Sequence, residues 1–330
     1  MMAHLSGIAV AGARSIFNTL SPAGAHGSLT AFIFHRVLPE PDPLFPDEPD
    51  AARFEAQMHW ITTWFNVLPL PEAIDRLRAQ SLPARAAAIT FDDGYADNYT
   101  VALPILKRFR LPATFFIATG FLNGGRMFND TVIEALRHAN GQELELSSVG
   151  LGRYSIATLE ARRAAIDSII GRLKYLEPGH RSEVANAVVK AAGVEPRSDL
   201  MLDTARLRAL AGAGMTLGAH TVNHPILARV GEKKALEEMS ASKERLESLT
   251  GERVTLFAYP NGKPGTDYTQ VHVGLARRTG FTAACSTGWG VAKSGCDLFQ
   301  IPRFTPWDRS SWRYALRLAS NLRRTIAVVR

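Results

Sequence analysis

Cysteine is scarce in this sequence, since only Cys285 and Cys296 occur among 330 residues. Two cysteines are too few for a disulfide framework and their spacing matches no common zinc motif, so we expect two reduced thiols. No run of about 20 apolar residues is present that would span a membrane. The N-terminal segment lacks the charged region and clean hydrophobic stretch typical of a secretory signal. These absences favour a cytoplasmic protein.

Charge of one sign is not concentrated anywhere along the chain. The net charge is +7, from 38 Lys and Arg against 31 Asp and Glu. No arginine-rich arm, aromatic RNA-binding signature or Cys/His finger is present, so we do not expect nucleic acid as a partner. Serine-nucleophile and phosphate-loop motifs are also missing. The basic balance suits an anionic surface or polymer.

Short apolar runs recur between helix-like stretches, and together they indicate the fold. The runs are at 29–35, 86–91, 113–118, 215–220, 254–259 and 281–285. They lack strict alternation, which is typical of strands covered on both faces. Strand–helix alternation repeated this often predicts an α/β fold with a parallel sheet or a β/α barrel.

One internal segment, about residues 124–200, interrupts this alternation. It carries helical patterns at 129–139, 157–176 and 180–193 and no convincing strand. We therefore predict a barrel over 29–308 with a helical insertion packed on its rim. Residues 1–28 would form a helical or irregular extension. Residues 309–330 read as a basic amphipathic helix, either docked on the barrel or in peripheral contact with a membrane.

Polar residues follow three of the predicted strands, at the end where β/α barrels place their active sites. Asp92 and Asp93 follow one strand, His220 and His224 follow another, and "FAYPNG" at 257–262 follows a third. Asp-Asp-Gly alone is an ordinary turn sequence. Histidines at a strand end can equally be surface or capping residues, so neither pair is decisive alone.

The two pairs together indicate a metal site. Histidines four residues apart can direct two imidazoles at one ion. Two imidazoles and one carboxylate form a facial set that leaves positions open for water and substrate, while the second carboxylate can stand outside it as a base. Zinc is the first expectation, although iron, cobalt and nickel also suit such ligands.

Three separated motifs, in this order, resemble those of the polysaccharide deacetylases of carbohydrate esterase family 4. They are "TFDDGYADN" at 90–98, "HTVNH" at 220–224 and "FAYPNG" at 257–262. The likeness covers most of the chain, from 32–37 to 301–304. It implies a catalytic domain that is a distorted (β/α) barrel.

The resemblance also implies roles for the clustered residues. Asp93, His220 and His224 would hold a divalent metal, usually zinc, and Asp92 would be the general base that takes a proton from the metal-bound water. The backbone N–H of Tyr95 would help to stabilise the oxyanion.

The third motif departs from the family pattern. Many members carry Arg-x-Pro-Tyr there, with an arginine that steadies the catalytic aspartate, whereas 258–261 of this chain contains no arginine. We hypothesise that Arg303 supplies the guanidinium from another direction. Tyr259, Pro260 and Asn261 are predicted to contact the substrate.

The catalytic acid is the second departure. A Leu-x-His motif, whose histidine protonates the leaving amine in many members, has no counterpart in 320–330. "FIFHRV" at 32–37 resembles the first-strand motif of a subset with permuted motif order, which includes exopolysaccharide poly-N-acetylglucosamine deacetylases. This likeness implies that His35 is the acid, a role that suits an imidazole because its ordinary pKa is near neutrality. The alternative is a histidine that only ends the strand.

We therefore expect a hydrolase that removes N-acetyl groups from amino sugars of a glycan or glycolipid in exopolysaccharide or cell-envelope synthesis. One alternative is a hydrolase of non-sugar amides on the same scaffold. Another is a non-catalytic carbohydrate-binding relative, against which the adjacent Asp92 and Asp93 argue, because a binding module has no need for both acids.

Overall fold

The computed structural model describes residues 13–195 and 197–330 of the chain. Its strands are β1 (Ser28–Phe34), β2 (Asn66–Val67), β3 (Ala86–Phe91), β4 (Thr114–Ile117), β5 (Glu143–Glu145), β6 (Arg153–Ser155), β7 (Thr216–Ala219), β8 (Leu256–Ala258), β9 (Ala283–Cys285), β10 (Ala292–Lys293) and β11 (Arg303–Phe304).

A first helix, α1, includes residues 13–20. The helices that follow are α2 (Ala51–Trp64), α3 (Leu70–Arg78), α4 (Leu103–Phe109), α5 (Phe128–His138), α6 (Leu159–Leu173), α7 (Pro178–Ala192), α8 (Thr204–Gly212), α9 (Glu232–Thr250), α10 (Gln270–Arg278) and α11 (Ser311–Asn321). Side-chain caps fix several starts, as where Asp50 accepts a hydrogen bond from the Arg53 N–H before α2.

The sheet follows the order β10-β1-β3-β4-β7-β8-β9, with β2 beside β3 and β11 beside β1. All of these pairs are parallel except β1 with β10. Ile301 bridges Cys285 of β9, and the next strand, β11, pairs with β1. Residues 301–304 therefore link β9 to β1 and close the sheet. The predicted distorted (β/α) barrel is confirmed.

Each barrel strand has one face toward the helices and one toward the barrel interior. On β3, Ile89 and Phe91 pack in the main core with the outer helices, while Ala86 and Ala88 pack in a smaller cluster to which α3 also contributes. In β7, Gly218 is required because a Cβ there would lie 2.4 Å from the Phe116 ring of the neighbouring strand β4.

The segment between β4 and β7 has a hydrophobic cluster of its own. Its helices α5, α6 and α7 bury Leu136, Ile166 and Val188 against one another. The sequence predicts no strand here, and that is wrong for the antiparallel hairpin β5–β6. Leu144 and Tyr154 alternate with polar neighbours in these strands and cover the helical cluster, so the hairpin is stabilised by packing.

The N-terminal extension predicted over 1–28 is described only from residue 13, and residues 1–12 lie outside the described part. In α1, Phe17 is fully buried, with its ring centroid 5.8 Å from that of Trp64 and 5.2 Å from that of Phe65. Helix α1 is thus packed against the end of α2 by aromatic contacts.

The C-terminal helix is shorter than the predicted 309–330, because α11 ends at Asn321. The Asn321 side chain exchanges hydrogen bonds of 2.9 Å with the Gly290 backbone, and Val329 pairs with the Gln300 side chain. The helix and the chain after it are therefore docked on the barrel. Trp312 stays exposed. Peripheral membrane contact remains a prediction, which flotation with anionic liposomes would test.

Among the described residues, Cys285 and Cys296 are both free thiols. The helices of the described segments are all too short or too polar to cross a membrane.

Candidate active site

The predicted polar residues meet at the carboxyl end of the barrel. β3 and β7 lie on either side of β4 in the sheet. Asp92 and Asp93 directly follow β3, and His220 directly follows β7. Because parallel strands end at the same edge, the loops that leave β3 and β7 face each other across β4.

Asp93, His220 and His224 have the arrangement of a metal-binding set. Asp93 Oδ1 is 3.5 Å from Nε2 of both histidines, and the three ligand atoms lie within 4.8 Å of one another. Ligands held about 2 Å from a tetrahedral ion are roughly 3.3 Å apart. Asp93 Oδ1 is buried and has no hydrogen-bond partner among the described residues. The residues present therefore fit a divalent cation.

Both imidazoles have a nitrogen suited to a metal. The His220 Nδ1 lies 2.7 Å from the Ala258 carbonyl oxygen, so Nδ1–H donates there and Nε2 is left facing Asp93. Burial alone would lower the pKa of His220, but the charges of Asp92 and Asp93 outweigh it and raise this pKa. Burial lowers the pKa of His224 to about 4, which keeps this ring neutral at pH 7.

The loop that carries the two histidines is held by Glu238 of α9. This buried carboxylate accepts hydrogen bonds from the backbone N–H of Val222 at 2.9 Å and of Asn223 at 2.8 Å. Thr221 and His224 adopt left-handed backbone conformations, with φ of 66° and 49°. Such conformations are costly outside glycine and persist where surrounding contacts fix them. The role of Glu238 was not predicted from the sequence. The feature that could have indicated it is an acidic residue on the otherwise mostly apolar buried face of α9.

Asp92 is paired with Arg303 inside the barrel. Residues 86, 88 and 90 of β3 face the interior, and alternation places Asp92 on that side. Arg303 Nη1 and Nη2 donate to the two carboxylate oxygens at 2.6 and 2.7 Å, and its Nε donates to the Ser286 carbonyl at 3.0 Å. Both side chains are almost completely buried. Burial would raise the pKa of Asp92, but Arg303 and His220 bring it below its usual value.

A tight turn separates the directions of the two aspartates. Asp93 and Gly94 have φ of 78° and 90°, so the alternation of β3 ends after Asp92 and Asp93 turns toward the histidines. A Cβ at Gly94 would lie 3.2 Å from the Ile117 side chain. This position therefore needs glycine for both its backbone conformation and its contact with β4.

The Tyr95 N–H points away from the segment around Met201, with which residues 94–96 pair like a short antiparallel strand. Gly94 O accepts from Leu202 N and Ala96 N donates to Leu200 O, both on one side of the chain. In an extended segment the intervening N–H points to the opposite side. The Tyr95 hydroxyl donates to the Asp130 carboxylate of α5 at 3.1 Å, which ties this turn to the insertion.

His35 lies beside Asp92 at the edge of the barrel. β1 and β3 pair in register up to Phe34 and Phe91, so the next residues of the two strands are neighbours. The side chain of His35 is exposed, as a group that meets substrate must be. Asn98 donates to the His35 carbonyl oxygen at 2.8 Å; this residue lies within the quoted Asp-Asp motif but was given no role.

The third motif is arranged differently from the prediction. Tyr259 is fully buried, its ring stacks on Tyr268 at 3.9 Å, and its hydroxyl donates to the Phe299 carbonyl. This placement argues against contact between the Tyr259 side chain and a substrate, because packing already covers it on all sides. Pro260 is buried as well, whereas Asn261 is half-buried in a left-handed turn with φ of 58°.

The chain is similar in sequence and in fold to known proteins. Residues 79–176 and 179–284 match the sequence profile of the family described as polysaccharide deacetylase. The Bacillus subtilis protein YxkH is 21% identical over 252 residues, which are 76% of this chain and 62% of that protein. A Staphylococcus aureus poly-beta-1,6-N-acetyl-D-glucosamine N-deacetylase is 34% identical over 79 residues, 24% of this chain and 27% of that protein.

The fold has a solved counterpart in Streptococcus pyogenes deacetylase PplD, determined in complex with acetate. The two structures superpose with a TM-score of 0.59 and 20% identity, covering 88% of this chain and 97% of PplD. Because the family profile covers more than half of the chain, the chain belongs to the polysaccharide deacetylase family.

Proposed function

We propose that this protein is a metal-dependent hydrolase that removes N-acetyl groups from amino sugars of a glycan or glycan precursor. One observation carries the proposal. The buried oxygen of Asp93, without a hydrogen-bond partner among the described residues, faces His220 and His224, while Asp92 stands beside them in a separate pairing with Arg303.

The two aspartates have separate tasks in this proposal. A divalent ion held by Asp93 and the two histidines would polarise the acetyl carbonyl and acidify a water molecule. Asp92 lies outside that set, and its lowered pKa keeps it ionised at neutral pH, so it can accept the proton of the attacking water. Arg303 fixes its orientation through two parallel hydrogen bonds.

Two further groups would complete the reaction. The Tyr95 N–H would donate a hydrogen bond to the oxygen that becomes negatively charged. His35, exposed beside Asp92, would give a proton to the amine as the carbon–nitrogen bond breaks. Acetate and a free amino sugar result.

The substrate class is supported by the Staphylococcus relative, which is named for a polymer of N-acetyl-D-glucosamine. An exopolysaccharide or envelope glycan, or its glycolipid precursor, is therefore the proposed substrate. A non-sugar amide and a purely carbohydrate-binding role are the alternatives. The buried Asp92–Arg303 pair beside the metal-binding set favours catalysis, since binding alone would not need an oriented base.

The proposal is tested by acetate release from N-acetylglucosamine oligomers. We expect release by the purified protein, its loss after chelation, and its recovery with zinc or another divalent ion, because the ion supplies the Lewis acid. Acyl and cyclic amides without a sugar serve as comparison substrates. Release only from these amides would support the non-sugar alternative, and binding of oligomers without release from any substrate would support the non-catalytic one.

His35→Ala is expected to slow acetate release about 100-fold or more, because an amine leaves poorly without a proton donor. The rate of acetate release from an aryl acetate should fall far less in this variant, because a phenolate can leave without being protonated. The matched control is His59→Ala, which removes an exposed histidine on α2. Wild-type rates for the His35 variant on the amide at neutral pH would rule out this role.

A further inference from the structure

A cavity of about 780 Å³ lies between the insertion and the barrel, next to the candidate metal ligand His224. Residues of α5 and α7 form one side of it, and the loop after β7 with the start of α9 forms the other. Since His224 is part of its lining, a molecule bound at the metal-binding set can extend into this cavity.

Arg181 of α7 lines this cavity, and its environment is unusual for an arginine. The residue is only 7% exposed, and its Nε has no hydrogen-bond partner among the described residues. Its guanidinium carbon lies 4.4 Å from the centre of the Phe128 ring, so one face is covered by an aromatic. Burial lowers the pKa of Arg181, and the nearby charge of Glu177 opposes this only in part. A buried charge with an unsatisfied donor is costly, so binding of an anion to this guanidinium would be favourable.

The other charged residues of the cavity leave it positive. Arg126, Arg229 and Lys234 line it together with two acids, Glu177 and Glu238. Both acids are already engaged, since Glu177 accepts hydrogen bonds from the first N–H groups of α7 and Glu238 holds the loop after β7. Lys234 lies 3.8 Å from Glu238. The cavity as a whole thus suits an anion.

We propose that Arg181 binds an anionic group, a phosphate or a carboxylate, that the substrate carries near the sugar unit to be deacetylated. The planar guanidinium offers paired N–H donors to either group, and the Phe128 ring packs against it. This inference rests on the proposed function, because it adds a second recognition element to the same substrate.

Binding of three sugars to the metal-loaded protein tests the inference. N-acetylglucosamine 1-phosphate carries a phosphate, N-acetylmuramic acid carries a carboxylate, and N-acetylglucosamine is neutral. By titration calorimetry we expect at least one anionic sugar to bind about tenfold or more tightly than the neutral one. The anionic sugar with the larger gain in affinity over the neutral sugar shows whether the site prefers a phosphate or a carboxylate.

Arg181→Gln should remove this preference while binding of the neutral sugar changes less than about twofold. Arg181→Lys keeps the charge and should retain part of the preference, which separates loss of the charge from loss of the fold. The matched control is Lys190→Gln, which removes an exposed cation of the same helix outside the cavity and should leave the preference intact.

Two results would overturn the inference: equal binding of the three sugars by the wild type, or an anion preference that survives in Arg181→Gln. Metal content and thermal unfolding are measured for each variant. The proposed function is judged separately by acetate release, because these titrations need no turnover. Arg181-dependent binding in a protein that releases no acetate would therefore reject the proposed function and leave the anion site standing.

Discussion

Asp92→Asn is expected to lower the rate of acetate release by about 100- to 10,000-fold, the usual contribution of a general base, while bound metal remains at the wild-type level. The asparagine keeps one oxygen to accept from Arg303 but cannot take a proton. Asp92 is not among the three candidate ligands, so its loss should not release the ion. Rates and metal stoichiometry are measured on the same preparation.

The adjacent residue provides the matched comparison. Asp93→Asn removes the negative charge of a candidate ligand, so this variant should lose metal and activity together. Asp92 cannot replace Asp93, because the two side chains point in different directions at the turn formed by Asp93 and Gly94. If Asp92→Asn also lost its metal, or if it kept full activity, the division of tasks between the two acids would be wrong.

Arg303→Ala is expected to have the second large effect, on both turnover and stability. Removing one partner of a buried ion pair costs about 3–5 kcal/mol because the other charge is left uncompensated. Arg303 is fully buried and bonds both oxygens of Asp92. We expect the free energy of unfolding to fall by that amount, and the rate of acetate release to fall sharply while metal is retained.

Arg303→Lys separates charge from geometry. Lysine keeps the positive charge but cannot form two parallel hydrogen bonds, so stability should recover more than turnover. Denaturant unfolding gives the first quantity and acetate release the second. An Arg303→Ala protein with wild-type turnover would show that Asp92 needs no partner to act.

Much of the fold could be predicted from short-range pattern. The six apolar runs coincide with β1, β3, β4, β7, β8 and β9, because a strand covered on both faces must be apolar throughout. Shorter elements were missed. Strands β10 and β11 have two residues each, too few to carry a periodicity. Helix α3 has apolar residues at 70, 73, 74 and 77, a helical spacing that the sequence analysis overlooked.

The third motif, at 257–262, shows that a sequence motif was not sufficient to predict which side chains reach the substrate. Tyr259 matches a family motif in its letters, yet its ring is packed between Phe257 and Tyr268. The exposure of a residue after a short strand depends on which loops cover it, and those loops come from distant parts of the chain. The same holds for Glu238, whose bonds to the histidine loop depend on how α9 packs.

The sequence by itself determined the kind of chemistry, because residue types and their order after predicted strands suffice to suggest two imidazoles and a carboxylate around one ion. The tertiary structure alone decided how those side chains are arranged. Closure of the barrel through residues 301–304 brings Arg303 to Asp92, 211 positions earlier in the chain. Packing of the insertion against the barrel brings Arg181 and His224 into the lining of one cavity. Contacts between such distant segments depend on how the strands close and the helices pack, which local periodicity does not record.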